Sequence, residues 1–82
     1  SPAQKVSPQP RSDNQRICLD VAKELIKGDK NQILFQELVD ESTKFVDSDA
    51  KHVRQRCTEA IHSLINSGFL QMDDMNFIKL RA

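Results

Sequence analysis

The last third of the chain constrains the fold more than any other part. Ala50, Val53, Cys57, Ala60, Ile61, Leu64 and Ile65 recur at helical spacing and mark the inner face of a long helix. Ser67-Gly68 closes that helix, since glycine freely takes the left-handed conformation at a helix end. Two four-residue blocks follow, FLQM and FIKL, separated by DDMN, whose Asp and Asn residues suit a turn. The reading is a long helix running through a glycine into a β-hairpin. The hairpin register stays open. A four-residue loop puts Leu70, Met72 and Phe77 on one face, and a three-residue loop puts Phe69 and Phe77 together.

Upstream, Ile17, Val21 and Leu25 repeat every four residues, with Leu19, Ala22 and Ile26 widening the stripe. Ser12 to Gln15 reads as a capping box that starts this helix, and Gly28 is expected to end it after Lys27. Ile33-Leu34 is too short to be judged a strand by itself. Phe35, Leu38, Val39 and Ser42 predict a second, shorter helix, whose other face carries Glu37, Asp40 and Glu41, with Lys44 near its C-terminal end. Val46-Asp47-Ser48-Asp49 supplies N-cap candidates for the third helix. The predicted order is helix, short strand, helix, helix, hairpin. Residues 13–82 are therefore expected to form one mainly α domain with a small β-hairpin. Residues 1–12 hold all three prolines and only Ala3 and Val6 as apolar residues, which predicts a disordered tail.

That order, together with Ile33-Leu34-Phe35-Gln36-Glu37-Leu38 and Ala60-Ile61-His62-Ser63-Leu64-Ile65-Asn66-Ser67-Gly68-Phe69-Leu70, resembles the winged helix, a helix-turn-helix variant with a hairpin wing. The second stretch is similar to the ending of winged helices in cullins, the origin recognition complex, minichromosome maintenance helicases and the middle subunit of replication protein A. The resemblance covers residues 13–82 and implies a winged-helix fold in a nuclear DNA-replication or cell-cycle assembly. It departs from groove-reading members in lacking a basic wing, and from cullin ends in lacking the lysine context for modifier attachment.

Charge bears on the partner. The chain has 12 Lys+Arg and 12 Asp+Glu, but Lys5 and Arg11 lie in the tail, so residues 13–82 hold 10 bases against 12 acids. A mildly acidic domain is a poor fit to nucleic-acid capture by bulk electrostatics. No apolar run approaches the ~18 residues of a membrane span. A chain that begins at Ser1 is read as a piece of a longer protein. Two cysteines, Cys18 and Cys57, are too few for a disulfide scaffold, and both fall in amphipathic runs, which predicts buried thiols in a reducing compartment.

The chemistry-bearing residues point away from catalysis. Cys57 and His62 are the one tempting pair, but five residues of helix turn through about 140°, sending Cys57 inward and His62 outward. Cys18, Cys57, His52 and His62 have no paired zinc spacing, and no glycine-rich phosphate loop exists, so neither metal nor cofactor is expected. A duplex-reading surface would use the third helix through Lys51, Arg54, Gln55, Thr58 and His62. Glu59 lies beside them, Glu37, Asp40 and Glu41 flank them, and Asp73 and Asp74 occupy the wing tip where phosphate contact wants cations. A protein-docking surface is expected instead at Met72, Asp73, Asp74, Met75 and Phe77, where adaptable apolar side chains among acids suit a basic amphipathic segment. The isolated domain is expected to be monomeric. In the tail, Ser1-Pro2 and Ser7-Pro8 each precede a base at the same offset, Lys5 and Arg11, and resemble sites of proline-directed kinases. Phosphates on Ser1 and Ser7 would reverse the tail's charge.

Overall fold

A computed structural model describes residues 13–81. The tail 1–12, the candidate sites Ser1 and Ser7 and the Ser12 cap lie outside the described residues. Six elements follow in order: α1 (Asp13–Leu25), β1 (Ile33–Leu34), α2 (Phe35–Ser42), α3 (Val53–Asn66), β2 (Leu70–Met72) and β3 (Phe77–Leu80). The architecture is mainly helical with one small antiparallel sheet in the order β1-β3-β2. Among the described residues, no helix is long and apolar enough to cross a membrane.

The core gathers one face from every element. Cys18, Leu19, Ala22 and Ile26 come from α1 and its end, Leu38 and Val39 from α2, and Cys57, Ala60, Ile61 and Leu64 from α3. Ile33, Leu70 and Ile78 close the sheet side. Two sequence expectations shift here. Periodicity centres the α1 stripe on Ile17, Val21 and Leu25; Val21 is buried as expected, but Ile17 and Leu25 are only partly buried, and the packed face is shifted toward Cys18 and Ala22. The cause is the number of neighbours: α1 meets both α2 and α3, and α3 takes the Cys18 side. Similarly Ala50 is exposed and lies in a turn that precedes α3, because the backbone amides of His52 and Val53 both donate to the Asp49 carbonyl before the helix proper begins.

Helix ends follow local chemistry. α1 stops at Leu25, short of Gly28, and Gly28 serves instead in a turn closed by the Lys30 amide donating to the Lys27 carbonyl, with φ of 65°. The α3 end is a Schellman cap. The Phe69 amide donates to the Leu64 carbonyl (2.9 Å), the Gly68 amide to Ile65 (3.2 Å), and Gly68 takes φ of 90°. This cap turns the chain straight into β2. At the start of α2, the Leu34 amide donates to the Glu37 carboxylate at 3.3 Å, satisfying a donor that the helix leaves unused.

Ile33-Leu34, ambiguous by length, is a strand because β3 is there to pair with it: Ile33 faces Ile78 and Leu34 faces Phe77. In the hairpin Leu70 pairs with Leu80, Gln71 with Lys79 and Met72 with Ile78. That register excludes the four-residue loop and fits the three-residue one. The Asn76 amide donates to the Asp73 carbonyl, the Asp73 amide donates to the Phe77 carbonyl, and Asn76 takes φ of 66°. This is a type I turn followed by a left-handed residue, the usual form of a three-residue loop.

Candidate functional site

Alternation along the strands decides what the hairpin presents. Leu70, Met72, Ile78 and Leu80 share the face turned to the core, while Gln71, Phe77 and Lys79 share the other; Phe69, just before β2, packs against the core. Met72 and Phe77 are thus on opposite faces, and the five candidate docking residues do not form one continuous side-chain surface. Met72 lies at the open end of the core-side face, 38% exposed. Phe77 is half-buried on the outer face, where its cross-strand neighbour Leu34 is 40% exposed. Between them the tip carries Met75, 71% exposed, with the exposed Asp73 and Asp74 beside it.

Asp73 has a structural duty at this tip. Its Oδ1 accepts hydrogen bonds from the Met75 amide (2.9 Å) and the Phe77 amide (3.0 Å), an Asx-type turn that holds the loop closed. The Phe35 amide, at the junction of β1 and α2, also donates to the Asn76 carbonyl at 2.8 Å. The tip is therefore fixed to the helical body as well as to its own strands. Asp74 makes none of these contacts and is exposed.

On α3 the candidate DNA-reading side chains are engaged within the domain. Arg54 donates to Asp40 of α2 at 2.6 Å, and Gln55 to Glu59 at 3.1 Å. Thr58 Oγ1 donates to the Arg54 carbonyl one turn back at 2.9 Å. The His62 ring stacks on Phe35 with centroids 5.3 Å apart and planes 22° off parallel. Lys51 stands outside α3, exposed in the preceding turn. The Arg56–Glu59 pairing that helical spacing suggests does not form, and Glu59 receives Gln55 instead. These contacts are exposed and individually weak, on the order of 0–1 kcal/mol each for an ion pair, but together they aim the helix's polar groups at its own neighbours.

The thiols lie apart from both surfaces. Cys18 and Cys57 are free, completely buried, and adjacent across the α1–α3 interface. Burial pushes the Cys18 thiol up to about 11, opposed by the Ser42 hydroxyl and reinforced by the neighbouring Cys57. Burial raises Cys57 too, against smaller lowering effects of Cys18 and Arg54. Both are protonated at neutral pH and poor nucleophiles. Ser42 Oγ is itself buried without a hydrogen bond of good geometry. Among the described residues, no group of three or more His, Cys, Asp or Glu side chains comes together as a metal site.

Sequence patterning passes over two exposed apolar residues. Leu34 stands beside Phe77 only through strand pairing over a separation of more than forty residues, and nothing local to Leu34 signals that. Phe45, 62% exposed, follows the end of α2, where helical periodicity no longer assigns a face. Comparisons with protein-family models, curated proteins and solved structures return no match.

Proposed function

We propose that residues 13–82 are a winged-helix domain acting as a non-enzymatic docking module in a nuclear DNA-replication or cell-cycle assembly, with β2 and β3 as the wing. What supports the fold assignment is the element order and the edge pairing of β1 with β3. The assembly rests on the sequence resemblance and the tail's Ser-Pro pair. The observation that carries the docking reading is the contrast between two surfaces. The helix a duplex would need has Asp40 of α2 and its own Glu59 against its Arg54 and Gln55 and stacks His62 on Phe35, whereas the hairpin tip presents the exposed Met75 beside the carboxylates of Asp73 and Asp74.

Electrostatics sets the partner's sign. Asp40 and Glu59 sit within the would-be DNA surface and Asp73 and Asp74 at the wing, so approaching phosphates meet like charge at both. A basic segment meets attraction at the wing, and Met75 adapts its shape to an apolar side chain. The docking face is the tip with Leu34 and Phe77 on the outer side of the sheet; Met72, on the opposite face, is not part of it.

Two titrations followed by backbone amide shifts test this. A helical peptide of leucine and lysine, about 14 residues long, is expected to move Asp73, Asp74, Met75 and Phe77. Met75→Ala should weaken it and Arg54→Ala should be mild. A duplex of about 20 base pairs at physiological salt is expected to bind no tighter than the ~10⁻⁴–10⁻⁶ M of non-specific contact. Submicromolar duplex binding with shifts at Lys51, Arg54, Gln55, Thr58 and His62 would replace docking by duplex recognition.

A further inference from the structure

A groove runs between α1 and the end of α2, away from the hairpin, with a volume of about 600 Å³. Its apolar floor is Ile17, Val21 and Leu25 of α1 with the exposed ring of Phe45. Its rim is acidic: Asp20 and Glu24 on α1, Glu41 on α2. None of the residues forming it is basic. Of the apolar stripe that sequence periodicity picks out on α1, the core buries Val21 and leaves Ile17 and Leu25 partly open here.

We propose that this groove is a second docking site, independent of the hairpin, and that its occupant is a basic amphipathic helix of another protein. Dimensions suit a helix. Ile17 to Leu25 spans about 12 Å at 1.5 Å per residue, which a helix of two to three turns matches with apolar side chains at i, i+3 or i+4, and i+7. Charge selects the sign of its flanks. Asp20 makes no ion pair among the described residues, while Glu24 and Glu41 hold only Lys27 (3.0 Å) and Lys44 (3.2 Å) in exposed i,i+3 pairs. Such pairs are weak enough to exchange for a partner's Lys or Arg.

Other occupants fit less well. A second copy would bring the same three carboxylates against themselves. The chain's own residues 1–12 carry Lys5 and Arg11 but only Ala3 and Val6 as apolar residues, with prolines at 2, 8 and 10 that oppose a helix. They supply charge without the apolar bulk to cover Phe45 and the α1 stripe.

The leucine–lysine helical peptide serves as the probe on the full 82-residue chain, with a leucine–glutamate peptide of the same pattern as its counterpart. The expected result is amide shifts at Ile17, Val21, Leu25 and Phe45, at least ~10-fold weaker binding for Phe45→Ala, a comparable loss for Asp20→Lys, and no binding of the glutamate peptide. Phe45 and Asp20 are exposed, so both variants should keep the fold, and an unchanged spectrum elsewhere verifies it. Shifts confined to residues 72–77 would overturn the groove and leave the hairpin reading standing. Affinity indifferent to Phe45→Ala and Asp20→Lys, or equal binding of the glutamate peptide, would overturn it as well. So would Phe45→Ala moving the amides of residues 1–12 in the free protein, which would make the tail the occupant. A diffusion coefficient that falls with concentration and recovers in Phe45→Ala would make it a second copy.

Discussion

Raising the pH should destabilise this protein through Cys18, because burial favours the protonated thiol. The Cys18 thiol is fully buried, and burial raises it from 9.0 to about 11. In the unfolded chain the thiol releases its proton near pH 9, while the folded chain holds it to about 11, so between these values the unfolded state binds fewer protons. Stability present below pH 9 is therefore lost as pH rises, and the loss is complete above about 11. Each tenfold difference in proton affinity between the two states is worth about 1.36 kcal/mol. The shift, to which the neighbouring Cys57 contributes, then corresponds to about 2–3 kcal/mol at most, set against the ~5–15 kcal/mol available to a domain. The chain has no tyrosine, which removes the group that ordinarily obscures this range. Urea unfolding followed by circular dichroism from about pH 7.5 to 10.5, with reductant, would measure it. Cys18→Ala should start about 1 kcal/mol less stable from lost packing, but its stability should fall less steeply, so that the two curves meet between about pH 9 and 10 and cross above that. The residual slope belongs to Cys57, whose thiol burial also raises. Parallel curves for the two proteins would refute the claim that burial holds this thiol neutral.

Gly68→Ala should cost about 1–2 kcal/mol through its left-handed backbone alone, since nothing lies within 4 Å of an added Cβ; thermal unfolding will measure it. Asp73→Ala should remove two hydrogen bonds from the turn and lower stability by about 1 kcal/mol, with the largest rise in hydrogen exchange at the Met75 and Phe77 amides. Arg54→Ala breaks a pair more than half exposed at both ends, so a change in the denaturation midpoint equivalent to less than about 1 kcal/mol is expected. Ser42→Ala should leave that midpoint unchanged or raise it, because the hydroxyl is buried without a good partner; a loss of about 1 kcal/mol or more would mean that its contact with Cys18 stabilises the fold.

Helices are legible in the sequence where their chemistry is local. Gly68 ends α3 because the Schellman cap there needs a left-handed residue, and Asn76 takes the corresponding left-handed place in the hairpin loop. What escapes depends on contacts between distant residues. Ile33-Leu34 becomes a strand only because β3 lies alongside, and the face of α1 that packs is chosen by α3 rather than by its own periodicity. The candidate surfaces divide in the same way. Residue types and sign of charge are readable, so Arg54 and Met75 both stand out, but pairing Arg54 with Asp40 takes two helices brought together. Met72 and Phe77 separate onto opposite faces for a related reason: the register that parts them is set by one residue of loop length.

The edge position of β1 bears on how the chain reaches its native state. Pairing Ile33 with Ile78 closes a loop about 45 residues long, an entropic cost on the order of 3 kcal/mol before any constant. Two residues of ladder return little against that. The hairpin, in contrast, links residues no more than ten apart and grows directly from the cap of α3. β1 consequently has reason to dock late, once Leu38 and Val39 have brought α2 onto α3 and drawn Ile33 to the sheet's open side. The sheet and the helical core thus assemble as one cooperative unit, and a lesion in α2 should slow the completion of a sheet to which α2 contributes no strand.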